Sequence, residues 1–303
     1  MAELLPGFES RIVEGEGARI HLWLAGRGPA LLLLHGFPQT GLMWQPVARR
    51  LAENFRVVIA ELRGYGRSSC PPTDPGHHAF SKRAMAADMV AVMERLGHRR
   101  FLLAGHDRGG RVAYRLALDH PERVVALAVL DIVPTLTMWE QMDIKLAMKA
   151  YHWLLLAQPH PLPEMLIGHD PAGFLDYTMA SWTKAGNLSV FDPAALADYR
   201  ACFSQPERLH AACNDYRAGQ TADLAADRID RDAGRRIVAP LLALWGTGGF
   251  PSETGTPLET WRQWCSGAVE GEGVDAGHFI VEENPAATIA ALEPFLMRHT
   301  GQS

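Results

Sequence analysis

The chain is poor in cysteine and carries no large excess of charge of either sign. Cys70, Cys202, Cys213 and Cys265 are its only thiols in 303 residues. None forms a C-x-x-C pair or a metal-like cluster, so a disulfide scaffold and a cysteine metal site are both set aside in favour of free thiols in a reducing compartment. The 29 basic and 34 acidic side chains leave a formal charge of −5. That balance gives no general attraction for nucleic acid or anionic lipid, so an anionic ligand needs a local positive site. No apolar run is long enough to span a bilayer, and Met1 to Arg11 lacks a basic stretch followed by an apolar one. The expectation is a cytoplasmic protein with neither membrane nor nucleic-acid partners.

Apolar material is plentiful at 48% of residues, enough for a large core. The length suits two domains or one domain with a large insertion. Short, continuously apolar runs ended by Gly or a turn predict buried parallel strands at Ala30–Leu34, Arg56–Leu62, Phe101–Ala104, Val124–Leu130 and Leu241–Trp245. A last strand is expected around Ala268–Val274, and an N-terminal antiparallel hairpin over Ile12–Leu24. Helical spacing lies between them, over Lys82–Leu96 with Gly97 as its stop, and over Gly110–Leu118 with Pro121 beyond it. Strand–helix alternation argues for a mostly parallel α/β sheet flanked by helices.

The middle differs. Helix-like segments at Met138–Leu156, Ala172–Trp182 and Ala194–Phe203, interrupted by Pro159, Pro161 and Pro163, show no clear buried strand. They predict a helical cap over 135–235, inserted into a core formed by 1–134 and 236–303.

Gly105-His106-Asp107-Arg108-Gly109 follows a predicted strand and opens a predicted helix, the context of a nucleophile elbow. Its glycines suit a tight, strained turn. Aspartate stands where esterases place serine. A carboxylate is already ionised at neutral pH and suits displacement at a saturated carbon. Taken alone, Asp107 reads better as a helix cap; the two flanking glycines and His278 turn the reading to a nucleophile. Gly277-His278-Phe279 lies after the expected last strand, where a base completes the order nucleophile, acid, base. Asp131, ending the fourth strand, is chosen over Glu253 as the acid that orients His278. His35-Gly36-Phe37-Pro38 follows the first parallel strand, and the backbone N–H groups of Phe37 and Arg108 are candidates for an oxyanion hole. Arg108 and Arg111 share one helix face beside Asp107 and suit a small carboxylate, whereas Arg115 and Arg123 fit surface arginines paired with acids.

With these residues in view, the chain resembles the fluoroacetate dehalogenases of the α/β-hydrolase superfamily. The likeness runs through Leu31–Gln39, the Asp-Arg-Gly-Gly-Arg run at 107–111, Leu130-Asp131-Ile132, Tyr151-His152-Trp153, Asp215–Gly219 and Gly277-His278-Phe279. It implies an α/β-hydrolase fold and hydrolysis of a haloacetate, fluoroacetate above all, through an ester on Asp107. It further implies that His278 and Asp131 drive hydrolysis of the ester and that Arg108 and Arg111 hold the substrate carboxylate. His152, Trp153 and Tyr216 would hold the departing halide. The resemblance implies no cofactor or metal, and a homodimer. Glu61 departs from the aspartate usual ahead of Arg63-Gly64-Tyr65-Gly66, which touches loop structure. Haloalkane dehalogenases differ at Arg108, where they have Trp, and at Phe37, where they have Asn. Trp182 is expected to pack within the cap. Epoxide hydrolysis is the rival activity, needing cap tyrosines that Tyr216 alone matches poorly. A catalytically silent binding protein on the same fold is the remaining alternative.

Overall fold

A computed structural model describes residues 4–302, so the outermost bounds expected for the core, 1 and 303, lie outside the described residues. Eight strands form one sheet: β1 (Glu9–Glu14), β2 (Arg19–Ala25), β3 (Ala30–Leu34), β4 (Arg56–Ala60), β5 (Phe101–His106), β6 (Val124–Leu130), β7 (Leu241–Gly246) and β8 (Val269–Val274). Their spatial order is β1-β2-β4-β3-β5-β6-β7-β8. β1 pairs antiparallel with β2, and β2 with β4, while the remaining neighbours are parallel. β3, β5 and β6 are buried along their whole length, because helices cover both faces of the sheet centre. This explains their unbroken apolar runs.

The strand order places the site. From β3 the chain goes to β4 on one side, then returns to β5 on the other. The carboxyl ends of β3 and β5 therefore border a crevice at the point where the winding reverses, the usual ligand position in an open α/β sheet. The helix Asp107–Asp119 begins directly at the end of β5 and packs against β5, β6 and the helix Lys82–Arg95. Ser81 caps that second helix by accepting the N–H of Ala84.

Between β6 and β7 the chain forms eight helices, from Thr135–Glu140 to Ala222–Asp232. The expected helix over Met138–Leu156 is three short ones, Thr135–Glu140, Ile144–Lys149 and Tyr151–Leu156. The Asp143 side chain accepts the Leu146 N–H and starts the second, and Ala150 leaves helical geometry between the second and third. Two helices, Pro206–Gln220 and Ala222–Asp232, extend beyond the helical segments read from sequence. Arg115, expected at the surface, is buried, with its guanidinium against Asp119, Asp227 and Asp230. Glu61 is fully buried and takes the N–H and guanidinium of Arg67 and the imidazole of His21, so it organises the turn after β4.

Candidate active site

At the end of β5 the backbone turns sharply, and Asp107 adopts φ = +45°. A non-glycine residue there is strained and is held only by its surroundings. A Cβ on Gly105 would stand 2.4 Å from the Gly109 carbonyl oxygen, and one on Gly109 would stand 2.4 Å from that of His35. The elbow therefore needs both glycines. Gly36 is bound to the site in the same way, since a Cβ there would meet the Cβ of Asp107 at 2.5 Å. The close approach lets the Phe37 N–H donate to Asp107 Oδ1 at 2.8 Å.

His278 lies beyond β8 with its main-chain N–H donated to the Trp182 carbonyl at 2.9 Å. Glu283 accepts the N–H groups on either side, those of Gly277 and Phe279. His278 Nδ1 is 2.6 Å from Asp131 Oδ2, and Nε2, buried and without a hydrogen-bond partner, is 3.9 Å from Asp107 Oδ2. Asp131, at φ = +51°, also accepts the Gly246 N–H at 2.8 Å. Glu253 instead pairs with Lys145 and Lys149. Burial opposes the charge on Asp107, yet His278, then His106, Arg108 and Arg111, outweigh it and hold this carboxyl below its ordinary value. For Asp131 burial wins over the His278 hydrogen bond and pushes the carboxyl up.

Arg108 and Arg111 both reach the site but are held differently. Arg108 is clamped by Asp215 through Nε and Nη2, leaving Nη1 buried without a partner. Arg111 donates Nη1 to the Val133 carbonyl and Thr135 Oγ1, leaving Nε unpartnered. Burial would lower both arginines. Asp215 overrides it at Arg108 and raises that group, whereas Arg111, with Arg108 as neighbour, is lowered. The expected arginine pair thus carries a fixed counter-charge that the sequence reading did not assign. Asp215 also takes Lys82 and the Tyr65 hydroxyl. The one signal for it in the sequence was its place beside Tyr216.

Above these charges stands an aromatic wall. Tyr216 covers the Arg108 guanidinium at 4.1 Å, and Trp153 that of Arg111 at 4.5 Å. His152 lies 5.5 Å from Tyr216 and stacks on Phe37 at 6.1 Å. The Tyr216 hydroxyl and His152 Nδ1 are buried without partners. Burial keeps His152 well below its usual pKa, so it is a neutral imidazole with one N–H. Trp182, expected as cap packing, stands 4.2 Å from His152 and 5.4 Å from His278. Its indole nitrogen is buried without a partner, which brings it into the same wall.

Asp107, Arg111, Asp131, Trp153, Phe250 and His278 line a cavity of about 10 Å³, room for about one water. Phe250 was not singled out from the sequence, because one phenylalanine in a loop after β7 carries no signature there.

Comparison with known proteins bears on the family and the fold. Residues 29–285 match the model of the alpha/beta hydrolase fold family. The chain is 43% identical to a fluoroacetate dehalogenase from Burkholderia sp, over 97% of this chain and 95% of that protein. It is 30% identical to a soluble epoxide hydrolase from a Corynebacterium, over 90% and 92%. Among solved structures, an α/β hydrolase from Nostoc superposes with a TM-score of 0.93 at 48% identity, over 96% of this chain and 99% of that one. With an eight-stranded, mostly parallel sheet and these relatives, the chain belongs to the α/β-hydrolase family, in the branch that includes the fluoroacetate dehalogenases.

Proposed function

We propose that the protein hydrolyses the carbon–halogen bond of a haloacetate, fluoroacetate in particular, giving glycolate and halide. The observation that carries the reading is an ionised Asp107 facing three kinds of buried group. These are the His278 imidazole, two arginine nitrogens left free on Arg108 and Arg111, and the unpartnered donors of His152 and Tyr216. The substrate carboxylate takes the free guanidinium nitrogens. An Asp107 oxygen displaces halide from the α-carbon, forming an ester while the electron pair of the carbon–halogen bond leaves with the halide. His152, Trp153 and Tyr216 stabilise that charge as it develops, in a chamber too small to admit bulk solvent. Water then attacks the ester carbonyl, giving its proton to His278 Nε2, with Asp131 orienting the ring. The N–H groups of Phe37 and Arg108 receive the oxyanion. Collapse, with His278 Nε2 returning its proton to the departing alkoxide oxygen, releases glycolate, and loss of the remaining carboxyl proton to solvent regenerates the Asp107 carboxylate. No cofactor or metal enters this scheme. In the same reading, 135–235 acts as a cap over a core of 1–134 and 236–303, and the protein is a cytoplasmic homodimer.

Epoxide hydrolysis would need a second tyrosine hydroxyl at the site. Those of Tyr65, Tyr114, Tyr151 and Tyr199 are engaged with Asp215, Asp227, Thr178 and Glu282, and Tyr177 is exposed at the surface, so Tyr216 stands alone, and the arginine pair would have no anion to hold. His278→Ala incubated with fluoroacetate and read by intact mass is the test. A carboxymethyl adduct on Asp107 is expected. Unmodified protein that still releases fluoride would overturn the scheme.

A further inference from the structure

A second cluster lies outside the active-site wall. His160 precedes the helix Leu162–Ile167, Glu164 lies within it, and His210 belongs to the helix Pro206–Gln220. Glu164 Oε1 is 2.8 Å from His210 Nδ1 and 3.4 Å from His160 Nδ1. The two imidazole centroids are 5.2 Å apart, with the rings edge-on at 79°. One ligand atom from each residue falls within 4.8 Å of the others. Three nitrogen and oxygen donors around a tetrahedral ion at zinc distances stand about 3.3 Å apart, so the 2.8 Å pair has to open and any separation near 4.8 Å has to close by about 1.5 Å, a movement open to the exposed His160 side chain. The cluster opens on a surface groove also lined by Asp74, His77 and Asn214, where water can complete the coordination.

We propose that His160, Glu164 and His210 form a binding site for a divalent transition metal such as zinc. Both histidines bind as neutral imidazoles through Nδ1, with the proton on Nε2 facing the groove. The carboxylate supplies the third donor. Arg217 reaches Oε1 at 2.8 Å and Oε2 at 2.9 Å, fixing the carboxylate, and the ion takes the place of the proton now shared between His210 Nδ1 and Oε1. The positive charge of Arg217 limits the affinity to the micromolar range. Mixed imidazole and carboxylate donors select zinc, nickel or cobalt over calcium and magnesium. The site ties two inserted helices together, and one of them carries Asp215 and Tyr216 into the active site.

The test is calorimetric titration of untagged, chelator-treated protein with zinc chloride. One equivalent is expected to bind at micromolar concentration, with affinity reduced about tenfold or more in His160→Ala and in His210→Ala. Both variants keep their metal-free hydrolase activity, since neither residue belongs to the catalytic machinery. Cobalt added to the wild-type protein gives visible d–d bands that His210→Ala lacks, a readout that needs no stable variant beyond one. Binding weaker than millimolar, or zinc held as tightly by both variants, overturns the site.

Discussion

Asp215 clamps Arg108 by a two-point fork, Nε to Oδ2 at 2.9 Å and Nη2 to Oδ1 at 2.6 Å, and its own carbonyl takes Nη2 again at 2.8 Å. The guanidinium is therefore fixed before any substrate arrives, with one edge turned to the site. Lysine at 108 keeps the charge but cannot span both oxygens. Arg108→Lys is expected to lower kcat/KM for fluoroacetate by about 100-fold, mostly through KM, and stability by about 1–3 kcal/mol from an Asp215 oxygen left unpaired. Fluoride release and urea unfolding measure the two effects.

Asp131 touches only the second step of the proposed reaction. With Asp131→Asn, ester formation on Asp107 proceeds while water activation by His278 fails. The expected time course is a burst of one equivalent of halide followed by a steady state slower by about 10³–10⁴. Loss of the burst together with the steady state would place Asp131 in the first step instead.

Gly36→Ala tests the approach of the β3 loop to the nucleophile. The new methyl group would stand 2.5 Å from the Asp107 Cβ, so the loop or the elbow has to give way. A cost of about 1–3 kcal/mol in stability is expected, with a much larger loss of activity because the Phe37 N–H moves off Asp107. Unchanged kinetics would show that the loop yields freely.

His106 makes a pH prediction. Burial first, then the neighbouring His278, hold it down to about 3 from an ordinary 6.5. Between those values the unfolded chain binds a proton that the folded protein refuses. Stability is thus full above pH 6.5 and declines as pH falls toward 3, by up to about 1.4 kcal/mol per pH unit from this group. His106→Gln, which keeps a donor for the His278 carbonyl and does not titrate, removes that contribution. From pH 7 to pH 5 the wild-type protein is expected to lose about 2 kcal/mol more than the variant in urea unfolding.

The parallel strands were legible because β3, β5 and β6 are buried on both faces and so write themselves as apolar runs. The elbow was legible because two glycines and a following helix constrain it jointly. The helices Pro206–Gln220 and Ala222–Asp232 were not, since the first buries Asn214, Asp215 and Arg217 among its apolar residues and the second buries Asp223, Asp227 and Asp230. Asp215 meets Arg108 and Lys82, Asp223 caps the helix holding Lys82, and Asp227 meets Tyr114. A buried acid looks like a solvated one until its partner from elsewhere in the chain is known. The same blindness hid Asp215 as the holder of Arg108 and put Arg115 at the surface.

The chamber beside Asp107 holds about one water, yet a haloacetate has five heavy atoms. In the proposed reading such a molecule would not fit the chamber as it stands. Its entry and exit would call for lining side chains such as Trp153 and Phe250 to swing aside. Were that door to set the pace of turnover, the rate would fall as solvent viscosity rises, whichever halogen departs.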